Sequence, residues 1–235
     1  MILKRATDIV ISAIGLVLLS PFFVIAIIAI WLYDFENPFY IATRVGKNGK
    51  TFNMVKLRSM SVSPTLSRIE STANDDNRIT PIGKLIRKYK LDEFIQLWNV
   101  FLGEMSLVGP RPNTVNGVGV YTDREKLLLS IKPGITDIAS IIFSDEGDIL
   151  NGHKDPDLAY DQLIRPWKSR LGLAYIENSS FLFDLKIIFF TAVAIFSKKN
   201  AVIWVNSELR KIGVSEETIK VSMRKEDLKP SSPPV

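Results

Sequence analysis

The chain has 235 residues, enough to bury one sizeable core and too few for a large multidomain enzyme. It contains no cysteine and a single histidine, His153, which excludes disulfide frameworks, thiolate metal sites and multi-histidine metal sites. A net charge of +5 with a mildly positive mean hydropathy points to anionic partners: membrane surfaces, phosphates or nucleic acid.

Lys4 and Arg5 precede Ile9 to Tyr33, a run of 25 residues without a charge. As a straight helix it would measure roughly 37 Å, longer than the ~30 Å hydrocarbon core of a bilayer. Ser20-Pro21 falls near its centre. Proline lacks the amide donor and clashes with the carbonyl four residues back, Val17, so a kink or break is expected there, with the Ser20 hydroxyl meeting the freed carbonyl. Each arm of about 16–18 Å then enters half the bilayer and turns back. Arg44, Lys47 and Lys50 follow the segment, so the positive-inside tendency draws both ends to the cytoplasm. Hydropathy alone favours a proline-kinked transmembrane helix; the two-sided charge, together with the resemblance set out below, puts the re-entrant hairpin ahead.

Phe39 to Leu57 reads as two short strands around Gly46-Lys47-Asn48-Gly49-Lys50. Lys56 and Arg58 alternate in this stretch, so both can face one phosphate, or both can be solvated edge residues. Ser61 to Asn77 is polar and reads as a loop, with a lid as its functional alternative.

Thr80 to Pro112 carries the densest signal. Thr80 and Pro81 start a helix whose apolar positions are Ile82, Leu85, Ile86 and Tyr89, with Lys84, Arg87 and Lys88 on the other face. A second helix has Leu91, Phe94, Ile95, Trp98, Phe101 and Leu102 as its apolar stripe and Asp92, Gln96 and Asn99 on another side, stopped by Gly103. Asp92 and Glu93 fall in its first turn, where unpaired amides and the helix dipole favour carboxylates and attract phosphates. In Gly109-Pro110-Arg111-Pro112 the two prolines fix the backbone around Arg111, whose fork matches phosphate oxygens; a rigid exposed loop is the plainer reading.

Farther on, Tyr121 to Ser130 reads as helix, Lys132-Pro133-Gly134 as a turn and Ile135 to Phe143 as an apolar strand. His153, in a polar stretch, reads as a surface residue. Phe181 to Phe196 is apolar but carries Asp184 and Lys186 and ends at Lys198-Lys199, which suits a helix in the membrane interface or an ordinary core helix. Residues after Leu228 are expected to be disordered.

These residues, taken together, carry a specific resemblance. The Lys-Arg pair before a Ser-Pro-broken apolar segment, KLRSM at 56–60, RITPIGKLIRKYKLDE at 78–93, QLWNVFLGEMSLVGPRP at 96–112, KPGIT at 132–136 and FLFDLKI at 181–187 resemble the monotopic phosphoglycosyl transferases, the bacterial sugar transferase family, in their minimal catalytic form. The resemblance runs from about Lys4 to Phe196. It implies transfer of a phosphosugar from a UDP-sugar to undecaprenyl (polyprenol) phosphate with release of UMP. By matching position it implies Asp92 as nucleophile forming an aspartyl phosphosugar, Glu93 holding Mg2+ or handling a proton, and Arg87 and Arg111 on phosphates. Lys56, Arg58 and Arg78, and the backbone of Pro110 and Pro112, are further substrate-side candidates. It also implies that Asp184 pairs with Lys4 or Arg5, beside a plainer role as a helix cap. Two departures leave the sugar unnamed: Asp137-Ile138-Ala139-Ser140 stands where many relatives have Gly-Trp-Ala-Gln, and Ile95 where they often have proline.

The resulting expectation is an α+β fold: a mainly helical membrane-associated domain with a re-entrant N-terminal helix hairpin, a small β-hairpin and interfacial amphipathic helices. Residues 1–36 form the anchor, 37–199 the catalytic domain at the cytoplasmic face of a bacterial inner membrane with both termini cytoplasmic, and 200–235 a C-terminal extension. The basic residues lack a reading helix or aromatic platform, so nucleic acid is not expected as a partner. Pairing of two copies stays open. A non-catalytic membrane scaffold and a lipid-linked phosphate hydrolase are the alternatives.

Overall fold

The computed structural model describes residues 2–61 and 76–235. Most of the loop read as a lid candidate lies outside them. One long helix, α1 (Ile2–Asp34), runs beside a mixed body built mainly of short helices, with two small sheets.

Helical backbone continues through Pro21, so α1 is one continuous helix and the expected break at Ser20-Pro21 is not seen. The Val17 carbonyl that proline leaves without its amide accepts from the Ser20 hydroxyl at 2.7 Å, as the sequence indicates. What changes along α1 is its partner. Arg5 donates to the Val100 and Phe101 carbonyls, and Asp8 accepts from Ser106 Oγ and the Leu107 amide. Farther along, Phe23, Ala26 and Ile30 pack with Leu57 and Ile86 in a small apolar cluster. The opposite face leaves Ile14, Val17, Leu18, Phe22, Ile25 and Ile28 in the open, each at least half exposed.

Strands β1 (Phe39–Val45) and β2 (Thr51–Leu57) form the expected antiparallel hairpin, with Arg44 opposite Phe52 and Tyr40 opposite Lys56. Helix α2 (Pro81–Lys88) starts as the sequence indicates, Thr80 Oγ1 accepting from the Gly83 amide at 2.9 Å. The next helix is split into α3 (Leu91–Phe94) and α4 (Leu97–Leu102), with Gly103 at φ 91° ending the second. Helix α4 is inverted relative to its amphipathic pattern. Gln96, just before it, and Asn99 are buried, whereas Trp98, Phe101 and Leu102 are exposed. Asn99 repays its burial by accepting from the Val55 amide and donating to the Asn53 carbonyl and Glu104.

Strand β3 (Ser106–Val108) pairs in parallel with β4 (Gly134–Thr136), so VGPRP and KPGIT form one structural unit. Between them come α5 (Val115–Gly119) and, where a helix was expected, a 3-10 segment at Glu125–Ser130. The apolar run after β4 is not a strand. Asp137 caps α6 (Ile138–Ile142) in a reciprocal capping box with Ser140, so the departure at 137–140 has a local structural meaning.

Helices α7 (Glu146–Leu150) and α8 (Pro156–Ala159), a π turn at Tyr160–Ile164, and α9 (Arg165–Glu177) lead to α10 (Phe181–Phe196), α11 (Lys198–Lys211) and α12 (Glu216–Ser222). Leu171, Tyr175, Ile187, Ala201, Val205, Leu209 and Ile219 share one core with β3 and α6. Residues from 200 on therefore build the same core as the preceding ones. The tail after Leu228, expected to be disordered, has no regular structure but is tied down: Ser231 N donates to Gln162 O, Arg170 to Ser232 O, and Thr122 Oγ1 to Pro234 O. Helix α10 is a core helix on one face and apolar on its exposed face as well. Phe183, Ile187 and Phe190 face the core, while Leu182, Phe189, Ile195 and Phe196 stand exposed.

Candidate active site

The hairpin, the α2–α3 junction and the loop after β3 meet at one open cleft of about 660 Å³. Period-2 alternation brings Arg44, Met54 and Lys56 to the hairpin face that lines it. Between α2 and α3 the chain turns within two residues because Lys90 adopts left-handed backbone at φ 53°, a conformation that costs a non-glycine residue about 1 kcal/mol or more. That turn aims Arg87, Asp92 and Glu93 into the same space.

The two carboxylates meet different surroundings. Helix α3 is only four residues long, too short for a sizeable dipole, so the expected dipole stabilisation of Asp92 does not decide its charge. Burial pushes the Asp92 carboxyl up, opposed chiefly by Lys56. Burial would raise Glu93 too, but Arg111, Lys56 and Lys90 hold it below its ordinary value. Arg111 Nη2 lies 3.7 Å from Glu93 Oε1. Its other nitrogen donates to the Ile135 carbonyl and Gln96 Oε1, so β4 and α4 fix the guanidinium from behind. Burial, with Arg111 adding, lowers Lys56, while Glu93 and Asp92 oppose the shift. Burial likewise lowers Arg87, which donates to Ser59 Oγ at 3.0 Å.

The arrangement suits an anion in contact with a desolvated carboxylate. Arg44, Lys56, Arg87 and Arg111 provide positive charge, and the half-buried carboxylate of Asp92 stands among them. No group of three or more metal-ligating side chains occurs among the described residues. Two adjacent carboxylates nevertheless fit Mg2+, a hard ion that keeps waters and takes phosphate oxygens from its substrate.

The Bacterial sugar transferase family profile matches residues 1–198. The chain belongs to that family. A UDP-glucose:undecaprenyl-phosphate glucose-1-phosphate transferase of Klebsiella pneumoniae is 34% identical over 204 residues, which cover 86% of this chain and 42% of the relative. The exopolysaccharide production protein ExoY of Sinorhizobium fredii is 32% identical over 207 residues, covering 82% of this chain and 84% of its own length. The uncharacterized sugar transferase EpsL of Bacillus subtilis is 34% identical over 195 residues, 81% of this chain and 86% of the relative. The chain thus spans less than half the length of the Klebsiella relative and most of the length of the other two.

In this bacterial sugar transferase family member the cleft gathers Asp92, Glu93, Arg87, Arg111, Pro112 and Lys56 from the residues singled out in the sequence. Pro110 lies buried behind it, its carbonyl accepting from the Gly134 amide. Arg58 does not share the face of Lys56. It lies one residue past β2 and donates to Asp34 at the end of α1. Arg78 binds Asp76 beside the cleft rather than in its lining. Lys4 Nζ reaches Asp184 at 2.7 Å, and Arg5 is engaged elsewhere. His153 is exposed.

Arg44, Lys90, Glu146, Tyr160 and Lys168 also line the cleft and were not among the candidates. Alternation within the hairpin signals Arg44, two residues from Ala42 on the face of Lys56. Glu146, Tyr160 and Lys168 have no local signal, because only the packing of α7 and α9 brings them there.

Proposed function

We propose that this protein moves a phosphosugar from a UDP-sugar to undecaprenyl (polyprenol) phosphate, releasing UMP. The observation that carries the reading is Asp92 and Glu93 side by side in a cleft lined by Arg44, Lys56, Arg87 and Arg111, next to a helix with a long exposed apolar face. Relatives named as UDP-glucose:undecaprenyl-phosphate glucose-1-phosphate transferases support the donor and acceptor classes.

The donor diphosphate lies among the cationic side chains. Asp92 attacks the sugar-bearing phosphorus; a phosphorus–oxygen bond forms to its carboxylate, and the bond to UMP breaks with the electron pair leaving on UMP. The acceptor's phosphate oxygen then attacks the same phosphorus and Asp92 leaves as carboxylate. Arg111 and Arg87 hold phosphate oxygens, and Glu93, kept ionised beside Arg111, is the residue that would hold Mg2+. Bound there, the ion neutralises phosphate charge.

The lipid acceptor and the cytosolic donor meet only at a membrane surface, which gives α1 its role. Both of its ends are fastened to the same body, Lys4 to Asp184 and Asp34 to Arg58. A helix crossing the bilayer would separate those ends. On this reading α1 is a monotopic anchor lying with its apolar face in the cytoplasmic leaflet, joined there by the exposed apolar residues of α4 and α10, and both termini are cytoplasmic.

The test is UMP release from a panel of UDP-sugars with Mg2+ and undecaprenyl phosphate, for the native protein and Asp92→Asn. Release that requires one sugar and vanishes in the variant is the expected outcome. Undiminished release by Asp92→Asn would remove the covalent step, and no release with any sugar from folded protein would remove the activity.

A further inference from the structure

The wall of the cleft made by α7, the π turn and α9 carries polar chemistry that phosphate transfer leaves unused. Lys168 Nζ is bound to Glu146 Oε2 and lies 5.2 Å from the centre of the Tyr160 ring. All three line the cleft, and the Lys168 and Glu146 side chains keep 22% and 33% of their surface open.

This wall differs in kind from the hairpin side. Arg44, Lys56, Arg87 and Arg111 provide an excess of positive charge, as a diphosphate requires. The Lys168–Glu146 pair is neutral as a unit and adds no comparable pull on an anion. Instead it offers donors and acceptors together: an ammonium has three N–H groups, one of them spent on Glu146, and the carboxylate has lone pairs to spare. That combination matches adjacent hydroxyls, each of which donates and accepts. Tyr160 adds a flat ring of the sort that covers the C–H face of a sugar. The backbone supports a special purpose here. Tyr160–Ile164 is a π turn, a disfavoured widening of the helix that recurs at functional sites, and it puts the consecutive residues Tyr160 and Asp161 both on the cleft wall. The wall also lies within electrostatic reach of the carboxylate pair, because Lys168 contributes to holding Glu93 low.

We propose that Lys168, Glu146 and Tyr160 form the subsite that grips a vicinal diol of the nucleotide-sugar donor while the hairpin side grips its diphosphate. The proposal rests on the phosphosugar-transfer reading. A UDP-sugar offers two such diols, on the ribose and on the transferred sugar, and binding separates them.

The experiment uses the full chain in lipid nanodiscs with Mg2+, carrying Asp92→Asn so that donors bind without turnover. Binding of UMP, UDP-glucose, UDP-galactose and UDP-N-acetylglucosamine is measured with the wall intact, with Glu146→Gln, and with the double change Lys168→Met/Glu146→Gln, which leaves no unpaired charge. Thermal melting checks each fold. Loss of about tenfold or more in affinity for the bound UDP-sugar, with UMP unchanged, places the diol of the transferred sugar on the wall. Equal losses for UMP place the ribose diol there. Unchanged affinity for every ligand in both folded variants overturns the subsite while leaving the transferase reading intact. If the protein with its wall intact binds UMP but none of the UDP-sugars, the donor assignment fails and the subsite falls with it.

Discussion

Arg58 closes its guanidinium on the carboxylate of Asp34, Nη1 to Oδ2 and Nη2 to Oδ1, both at 2.5 Å. This two-point contact is the far fastening of α1, as Lys4 and Asp184 are the near one. Replacing Arg58 by Ala removes both charge-assisted bonds and is expected to loosen the end of α1. The loss should appear locally, as faster amide exchange over residues 28–38 in detergent-held protein, with the Lys4 end unchanged. Exchange equal to that of the native chain would show that Asp34 does not fasten the helix.

Gly134 stands where β4 crosses the backbone of Gly109, and a Cβ at position 134 would collide with the Gly109 amide and carbonyl. Gly134→Ala must therefore displace the segment that carries Arg111. Overpacking of this kind costs about 1–3 kcal/mol, and more where backbone itself must move. The expected result is a lowered melting temperature together with a loss of UMP release larger than the fraction unfolded explains. Gly119→Ala, whose Cβ meets nothing within 4 Å, is the control and should be neutral.

On the proposed mechanism Asp92 must be ionised to attack. Burial already raises its carboxyl, and Lys56 is the largest charge opposing that rise. Lys56→Met should therefore raise it further, so that on acidification UMP release begins to fall at a higher pH than in the native enzyme. The measurement is the pH profile of kcat/KM. An acid limb that stays in place while the rate drops would restrict Lys56 to holding phosphate.

Glu125 is fully buried and completely paired, accepting from Arg165 twice, from Ser169 Oγ and from the Thr122 amide. Burial raises its carboxyl, but these bonds win and hold it below its ordinary value. The stabilisation is thus present above the ordinary carboxylate range and is lost as pH falls through the depressed folded value. Glu125→Ala leaves the buried Arg165 with only the Val120 carbonyl and the exposed Asp161 as partners and is expected to cost about 3 kcal/mol in thermal or urea unfolding. The native protein's stability should fall on acidification more steeply than that of the variant.

Much of the site was legible because its signals are local. Thr80 and Pro81 announce α2, alternation announces the hairpin, and Asp92, Glu93 and Arg111 are conspicuous by type and spacing. The errors share a cause. Arg58 and Lys56 are two residues apart, yet the strand ends between them, and a partner 24 residues upstream captures Arg58. The apolar stripe expected on α4 faces outward at Trp98, Phe101 and Leu102, and Gln96 and Asn99 turn inward because β2 and the loop after β3 offer them partners there.

The sequence by itself determined the long apolar N-terminal segment, the adjacent carboxylates, the basic residues around them and the glycines of VGPRP and KPGIT, since composition, short-range spacing and backbone stereochemistry are properties of contiguous residues. Only the tertiary structure decided that α1 stays helical through Pro21 and is fastened at both ends, that Gly109 and Gly134 touch, and that Lys168 and Glu146 face the same cleft as Asp92. Those relations join residues up to 180 positions apart, and they are fixed by which buried groups can satisfy one another once a single core has formed, a condition that no local window of sequence contains.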